Sequence, residues 1–540
     1  MKRNPCSIAL CLLCMLAFSG CAGESAGGGA ASPAQSESGA AQESAAAIDT
    51  SALFSDRDLD GSYDESTAVA IQLNGDSAVC DSNAVSIDGT RITLTGEGVY
   101  LLSGTLTDGQ IVVDAGENDK VQLVLNGVDM TSADSAAIYA LEADKVFLTL
   151  ADGTDNTLSN GGEYIAIDEN NIDAVVFAKT DLTLNGTGSL TLNAAAGHGV
   201  VSKDDLVITQ GSYTVTAASH GLSGKDSVSI AGGSFAITAG KDGIHAENAD
   251  DLSLGSLYIE SGSFTIAAQG DAVSASGAAE IDGGTFEMTT GEGSASVTMS
   301  SSDAAGPGRP GEQVFQEEAA AAEEDAVSQK GIKAEGGLTI HGGTFTLDTA
   351  DDSLHTGGEL LITDGAFTLS SGDDAIHADG ALTIQNGSFT IPYCYEGIEG
   401  LSITVEGGTF TITSHDDGLN AAGGADSSGF GGRSPDQFSA DGSDSFITIN
   451  GGSFTIVSTG DCVDSNGDLT INGGTLDLTC NGSGNTALDA DGTYANNGGD
   501  VTTNDGSENN PGQMGGGKGG FPPRGERPDR QPAAPPETDG

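Results

Sequence analysis

Phe345, Phe367, Phe389 and Phe410 recur at spacings of 22, 22 and 21 residues, and each is followed seven positions later by an acidic side chain: Asp352, Asp374, Glu396 and Asp417. The segments between them repeat in phase, LTIHGGTFTLDTADDSLHTGGE from Leu338 and LLITDGAFTLSSGDDAIHADGA from Leu360. A unit this short cannot enclose a core by itself, so units must stack on one another. Followed along the chain, the acidic position forms the series Asp173, His198, His220, Asp242, Asp271, Lys330, Asp352, Asp374, Glu396, Asp417, Asp461 and Thr486. One array therefore fills most of the sequence.

Within each unit, alternating segments such as Thr344-Phe345-Thr346-Leu347 are separated by Gly-Gly, Asp-Asp or Asp-Gly. Period-two alternation with this punctuation reads as strands joined by turns. Three strands and three turns close one coil of about 22 residues, and stacked coils place equivalent strands roughly 4.8 Å apart in parallel ladders. The expected fold class is all-β, a right-handed parallel β-helix, the hand following from the crossover preference of parallel strands. Phe235, Phe264, Phe286, Phe345, Phe367, Phe389, Phe410 and Phe454 should form a ladder down its interior. The 37% apolar and 5% aromatic content suits a thin core of aliphatic side chains, and the 82 glycines supply turns.

Lys2 and Arg3 precede an apolar stretch from Ser7 to Phe18 and then Phe18-Ser19-Gly20-Cys21. Two readings fit residues 1–20: a lipoprotein signal with Cys21 acylated, or an ordinary secretory signal with an incidental cysteine. The aperiodic Gly, Ala, Ser, Gln and Glu tether over 21–51 favours the first. No later apolar run is long enough to span a bilayer. The expected location is the extracellular face of the cell membrane, by a lipid anchor, as a monomer. The β-helix is expected over 52–495 with insertions at 291–328 and 422–443, the first with room for a short helix, followed by a disordered Gly/Pro-rich tail at 496–540. Cys80, Cys394, Cys462 and Cys480 are too few and too scattered for a disulfide framework; Cys462 and Cys480 either bridge neighbouring coils or pack as small apolar residues.

Stacking sets the acidic positions in a row. Neighbouring carboxylates about 5 Å apart repel by roughly 1 to 3 kcal/mol per pair, a cost that a bound cation removes. Ca²⁺ suits flexible oxygen donors, and the expected ligands are Asp351, Asp352, Asp373, Asp374, Glu396, Asp416 and Asp417, with Asp242, Asp461 and Asp464 in the same rows. The competing reading is that each Asp only caps turn amides, a task needing one carboxylate rather than the Asp-Asp pairs present here. His245, His355 and His377 stand three residues after the acidic position and point outward from a strand. Because other coils carry Lys333, Glu399, Asn420 and Asp464 there, a polar or sugar-facing position is expected rather than a transition-metal column. Asp56, Asp58, Asp60 and Gly61 spell the first half of a calcium loop, but Thr67 stands at its twelfth position in place of Glu.

The segments GVYLLSGTLTDGQIVVDA, KVQLVLNGVDM, KVFLTLADGTDNTLSN, SKDDLVITQGSYTVTA and DLTINGGTLDLTCNGSGNTALDADGTY resemble the bacterial family of carbohydrate-binding domain-containing proteins, surface lipoproteins of Gram-positive bacteria. The resemblance covers about Ala52 to Tyr494. It implies a right-handed parallel β-helix similar in shape to pectate lyases, holding calcium on its coils and binding plant-type polysaccharides such as cellulose or pectin.

Three functional classes stay open. For a lyase, the coils lack the Arg that commonly serves as base: Arg309 and Arg433 lie in insertions, and Arg57 and Arg91 near the N-terminal cap. Repeated Asp-Asp pairs also differ from the single set of unlike carboxylates that a hydrolase needs. Ala196-Gly197-His198-Gly199 resembles a polygalacturonase motif without its partners. No catalytic residue is therefore assigned. For a binder, the chain has no Trp, so a sugar platform must come from Tyr393, Tyr395, Tyr213 or Tyr258; Tyr393 and Tyr395 are the best pair, and His355 and His377 are further ligand-binding candidates. A net charge of −61 excludes nucleic acid as a partner and would repel an acidic glycan unless calcium bridged the two. A structural or adhesive scaffold needs only anchor, tether and array.

Overall fold

The computed structural model describes residues 48–251, 253–299, 327–422 and 445–511, and in them 44 strands join a single hydrogen-bonded sheet. Through most of the chain each strand pairs in parallel with its equivalent one repeat later. Thr344–Thr349 lies on Ala366–Ser371 with Phe345 opposite Phe367, Gly337–Ile340 on Leu360–Ile362 with Leu338 opposite Leu360, and Leu354–Thr356 on Ile376–Ile384 with His355 opposite His377. Three rows of strands result. The expected signal at 1–20, Cys21, most of the tether, the centres of both insertions and the chain beyond 511 lie outside the described residues.

The phenylalanine row shows why the repeat is strict. Along Thr344–Thr349 burial alternates, with Phe345 and Leu347 inward and Thr344, Thr346 and Asp348 outward. From Phe235 to Phe454 the rings stack with centroids 4.5–4.8 Å apart and planes within 4° of parallel, and Tyr213 extends the stack at 5.2 Å. The strand spacing sets this separation, so the rings stack in register, and the row ends where Leu190 lies under Tyr213 and Leu476 over Phe454. Two residues before each Phe stands a glycine at φ between +102° and +144°, from Gly233 to Gly452, and a Cβ added there would meet the backbone or the Phe ring at 2.7–3.2 Å. The ring occupies the space that a side chain would need, and the turn demands a backbone that L-residues avoid.

The N-terminal end is closed differently. Val69–Gly75 pairs antiparallel with Ala78–Val79, and Val85–Asp88 with Arg91–Leu94. Helix Asp56–Leu59, capped by Ser55, carries Asp58 down to 2% exposure, where it meets Lys145 Nζ at 2.8 Å and accepts from Thr183 Oγ1 at 2.5 Å. The half calcium loop read from the sequence is thus a docking helix, its central carboxylate committed to holding the cap on the coils. At the other end the array continues past the expected boundary at 495: Asp500–Thr503 pairs in parallel with Thr475–Cys480, and a 3₁₀ turn follows at Ser507–Asn509. Asn-rich sequence there serves in strand turns, not in a tail. At the first insertion the described part contains a 3₁₀ turn, Ser294–Ser296, whose Ser294 N–H donates to Asp348 Oδ1 at 2.8 Å. Cys80, Cys394, Cys462 and Cys480 are free thiols, the last three buried. Among the described residues no helix is long and apolar enough to cross a membrane.

Candidate functional site: a buried carboxylate and histidine column

The acidic position lies in the turn that leads into the row of short strands, and its side chain points toward the next coil. Asp352 Oδ1 accepts the N–H of Asp374 at 3.0 Å, and Asp374 Oδ1 that of Glu396 at 3.1 Å. Asp242 receives Asp271 at 2.9 Å, Asp271 receives Lys330 at 2.8 Å, and Asp417 receives Asp461 at 2.6 Å. His198 and His220 do the same through Nδ1, each at 3.2 Å, and Asp461 caps the N–H of Thr486. One atom of each ladder residue is therefore an amide cap, as the competing reading of the sequence held. The second carboxylate oxygen remains for other chemistry.

In the central coils that second oxygen is buried. Asp351, Asp352, Asp374, Glu396 and Asp416 are all at most 6% exposed, and so are the residues three positions on, His377 at 1% and His355, Glu399 and Asn420 at 6–7%. His355 and His377 do leave the outer side of their strands, but they are not solvated or sugar-facing as expected. His355 Nδ1 lies 2.9 Å from Asp352 Oδ2, and His377 lies between Glu399 Oε2 at 3.0 Å, Asp379 Oδ1 at 3.1 Å and Asp374 Oδ2 at 3.4 Å. The two rings stack at 5.0 Å. Neighbouring ladder carboxylates thus enclose the position that the strand pattern assigned to solvent.

Lys330 supplies the buried cation. Its Nζ sits 3.1 Å from Asp351 Oδ1 and 2.5 Å from Asp352 Oδ2, all three side chains being at most 6% exposed. Asp351 Oδ2 is buried without a hydrogen-bond partner, and one oxygen each of Asp351, Asp352 and Asp373 lie within 4.8 Å of one another. Asp374, His377 and Glu399 form a second such group. Further along, Glu396 Oε2 accepts from Asn420 Nδ2 at 2.9 Å while Asn420 Oδ1 is left unpartnered, and Asp416 Oδ2 accepts from the Tyr395 hydroxyl.

Electrostatics follow from this crowding. Burial, reinforced by the charges of Asp373, Glu399 and Asp352, pushes Asp374 well above the usual carboxylate range. Glu396 and Asp417 are raised for the same reasons, Asp417 feeling Asp464, Asp416 and Asp461. For His377 burial opposes charge, but bonds to Asp374, Asp379 and Glu399 outweigh it and raise the imidazole well above its ordinary value. Asp352 is lowered despite burial, by Lys330 and then His355. Carboxylates held protonated by their neighbours mark a site with more negative charge than its resident cations neutralise.

The donor set fits a hard cation. Oxygens from Asp351, Asp352 and Asp373, and from Glu396, Asp417 and the Asn420 amide, match the carboxylate and carbonyl ligands that Ca²⁺ takes, and the orphaned Asp351 Oδ2 lacks the partner such an ion would provide. Of the expected ligands, Asp351, Asp352 and Asp373 come together, Asp374 and Glu396 lie in the next coils, and Asp416, Asp417, Asp461 and Asp464 form the far end. Asp242 is set apart and bonds histidines instead. Tyr395 is 3% exposed and cannot serve as a platform, because its hydroxyl is drawn inward by Asp416. Tyr393 is half-buried, donating to Val297 O at 3.4 Å with its ring edge-on to His415. Tyr213 belongs to the core stack, and Tyr258 donates to Asp282 at 2.6 Å. Lys330, Glu399 and Asn420 complete the column. A cation standing at an otherwise acidic repeat position was the available signal for Lys330, and aligning the positions three residues on was the signal for the other two.

A family model described as carbohydrate-binding domain-containing protein matches residues 88–375, 356–433 and 373–510. A carbohydrate-binding domain-containing protein of Acetivibrio thermocellus is 41% identical over 142 residues, 25% of this chain and 50% of that protein, so the match spans half the relative's length. A solved polysaccharide lyase-like protein from C. thermocellum, a gadolinium derivative, is 36% identical with a TM-score of 0.39, covering 41% of this chain and 90% of the other.

Proposed function

We propose, from the premise that this chain belongs to the carbohydrate-binding domain-containing protein family, that it is a calcium-dependent polysaccharide-binding lipoprotein of the cell surface. Its coils are right-handed, about 22 residues each, and held on the outer face of the membrane as a monomer by a lipid on Cys21. The observation that carries the calcium reading is the buried oxygen of Asp351, unpartnered beside Asp352 and Asp373 in a column whose carboxylates outnumber its cations. Calcium at such sites neutralises the column and bridges it to the carboxylates of an acidic glycan, pectin-like rather than cellulose-like, which the net charge of −61 would otherwise repel. The reading is non-catalytic. Lys330, the buried lysine of the column, has its ammonium bound by two carboxylates and is not free to serve as a lyase base.

The test is calorimetric titration of the purified chain with soluble polygalacturonate, with and without millimolar calcium. Heat only with calcium supports the proposal, and heat independent of calcium sinks the ion-bridged mechanism. No heat in either condition, with no retention on insoluble cellulose, leaves a structural scaffold. New unsaturated-uronide absorbance in the same mixture would make the protein a lyase.

A further inference from the structure

Nearer the N-terminus than the carboxylate column, the same ladder carries nitrogen in place of oxygen at His198 and His220. His198, His220 and His245 stack face to face, with centroids 5.0 and 4.1 Å apart. Asp242 lies at the edge of the last two: its Oδ2 is 3.2 Å from His220 Nδ1 and 2.7 Å from His245 Nδ1. Because His220 Nδ1 accepts the Asp242 N–H, Nε2 is the nitrogen of His220 left for a metal. Its other oxygen is occupied by the N–H of Asp271, which fixes the direction in which Oδ2 points. His245 is held from behind, Nε2 to Glu247 Oε2 at 3.0 Å. If that nitrogen carries the proton, Nδ1 presents a lone pair to a carboxylate oxygen. The contact is short yet lacks hydrogen-bond alignment, and beyond this ion-pair contact the buried Nδ1 makes no hydrogen bond. Two acceptors converging at 2.7 Å require a positive charge between them or beside them.

We propose that His220, Asp242 and His245 form a transition-metal site of the Zn²⁺ class, separate from the oxygen-lined column. One ligand atom from each lies within 4.8 Å of the other two. Two imidazoles and one carboxylate suit zinc, which takes three protein ligands and leaves a fourth position for water or a ligand, whereas calcium seeks six to eight oxygens. Glu247 is the outer carboxylate that sets the imidazole's tautomer in such sites. The fourth position opens onto a cleft of about 300 Å³ whose wall includes Lys203 and Lys225. Glu247 and Asp250 share that wall, Asp250 pairing with Lys225 at 2.7 Å, and the mixed charge suits a water as fourth ligand.

The experiment is titration of the full chain with Co²⁺ and Zn²⁺ in millimolar calcium, which keeps the oxygen sites filled. Co²⁺ is followed by its visible absorption and Zn²⁺ by calorimetry. One equivalent should bind; His220→Ala and His245→Ala should each abolish the cobalt band, and His377→Ala should leave it. Glu247→Gln alters an exposed side chain and so tests the site without risk to folding; affinity should fall about tenfold, the lower end of the loss usual for an outer carboxylate. Absence of saturable uptake by the wild type, or uptake unchanged in both histidine variants and in Glu247→Gln, overturns the proposal.

Discussion

Lys330 is the residue on which the acidic column balances. Replacing it with Met keeps the length of the side chain but leaves Asp351 and Asp352 buried without their cation, a change that costs about 3–5 kcal/mol when one partner of a buried pair is removed. The expected outcome is a lower urea midpoint for Lys330→Met in chelator, with most of the loss restored by calcium. A midpoint equal to wild type in chelator would mean that the pair carries no weight. The same crowding fixes the sign of a pH effect. Asp374, Glu396 and Asp417 have folded-state values raised above their unfolded ones, mainly by burial, and Asp181 is pushed up to about 6 by burial and Asp204. For raised groups the stability is fully present below the unfolded value and is lost as pH rises through the folded one. His377, raised by its three carboxylates, acts in the same direction. Chelated protein should therefore melt higher at pH 5 than at pH 8, and calcium should flatten the trend; thermal unfolding followed by circular dichroism at both pH values checks it. The acidic rows were legible as residues, because period and charge coincide in the sequence. Their burial was not, because Glu399 and Asp379 close over His377 only when successive coils are superimposed.

At the scale of the strand, ring and glycine act as one device. Phe367 is stacked between Phe345 and Phe389 at 4.8 and 4.7 Å, and Gly365 two residues earlier has φ +144°. Phe367→Ala should cost about 3–5 kcal/mol, because rings held by the strand spacing cannot collapse into the gap. Gly365→Ala should also destabilise, since its Cβ would fall 2.7 Å from the Phe367 ring in a backbone region that side chains rarely adopt. Denaturant unfolding measures both, and a glycine variant as stable as wild type would show that the turn relaxes. The strand pattern, the phenylalanine ladder and the register could all be read in advance, because each follows from a period of two nested in a period near 22. The docking helix at Asp56–Leu59 could not: its aspartates match a cation loop locally, and only Lys145 and Thr183, far along the chain, decide otherwise.

For the whole molecule, charge sets the response to ions. The net charge is −61, and among the described residues the carboxylates outside the buried set are screened by any salt, but the buried column answers only to an ion that can enter it. The thermal midpoint should rise with the logarithm of calcium concentration, as for any ligand bound by the folded state alone. Magnesium should raise it less, since its six short bonds tolerate a wide carboxylate site poorly. Equal shifts with both ions would reduce the effect to screening.

The amide caps along the ladder all run one way. Asp352 offers Oδ1 to Asp374, Asp374 to Glu396, and Asp417 to Asp461, and none of these Oδ1 atoms caps an amide of the coil before it; the backward contact of Asp352, to Lys330, uses Oδ2. Each coil thus finishes with a vacant seat that its successor fills, and a coil without its predecessor finds none. A chain delivered N-terminus first, onto hairpins that already close the first layer, meets each of these caps before the segment that reads it. The order of emergence and the order of assembly are then the same, and the last coil is the one most readily lost.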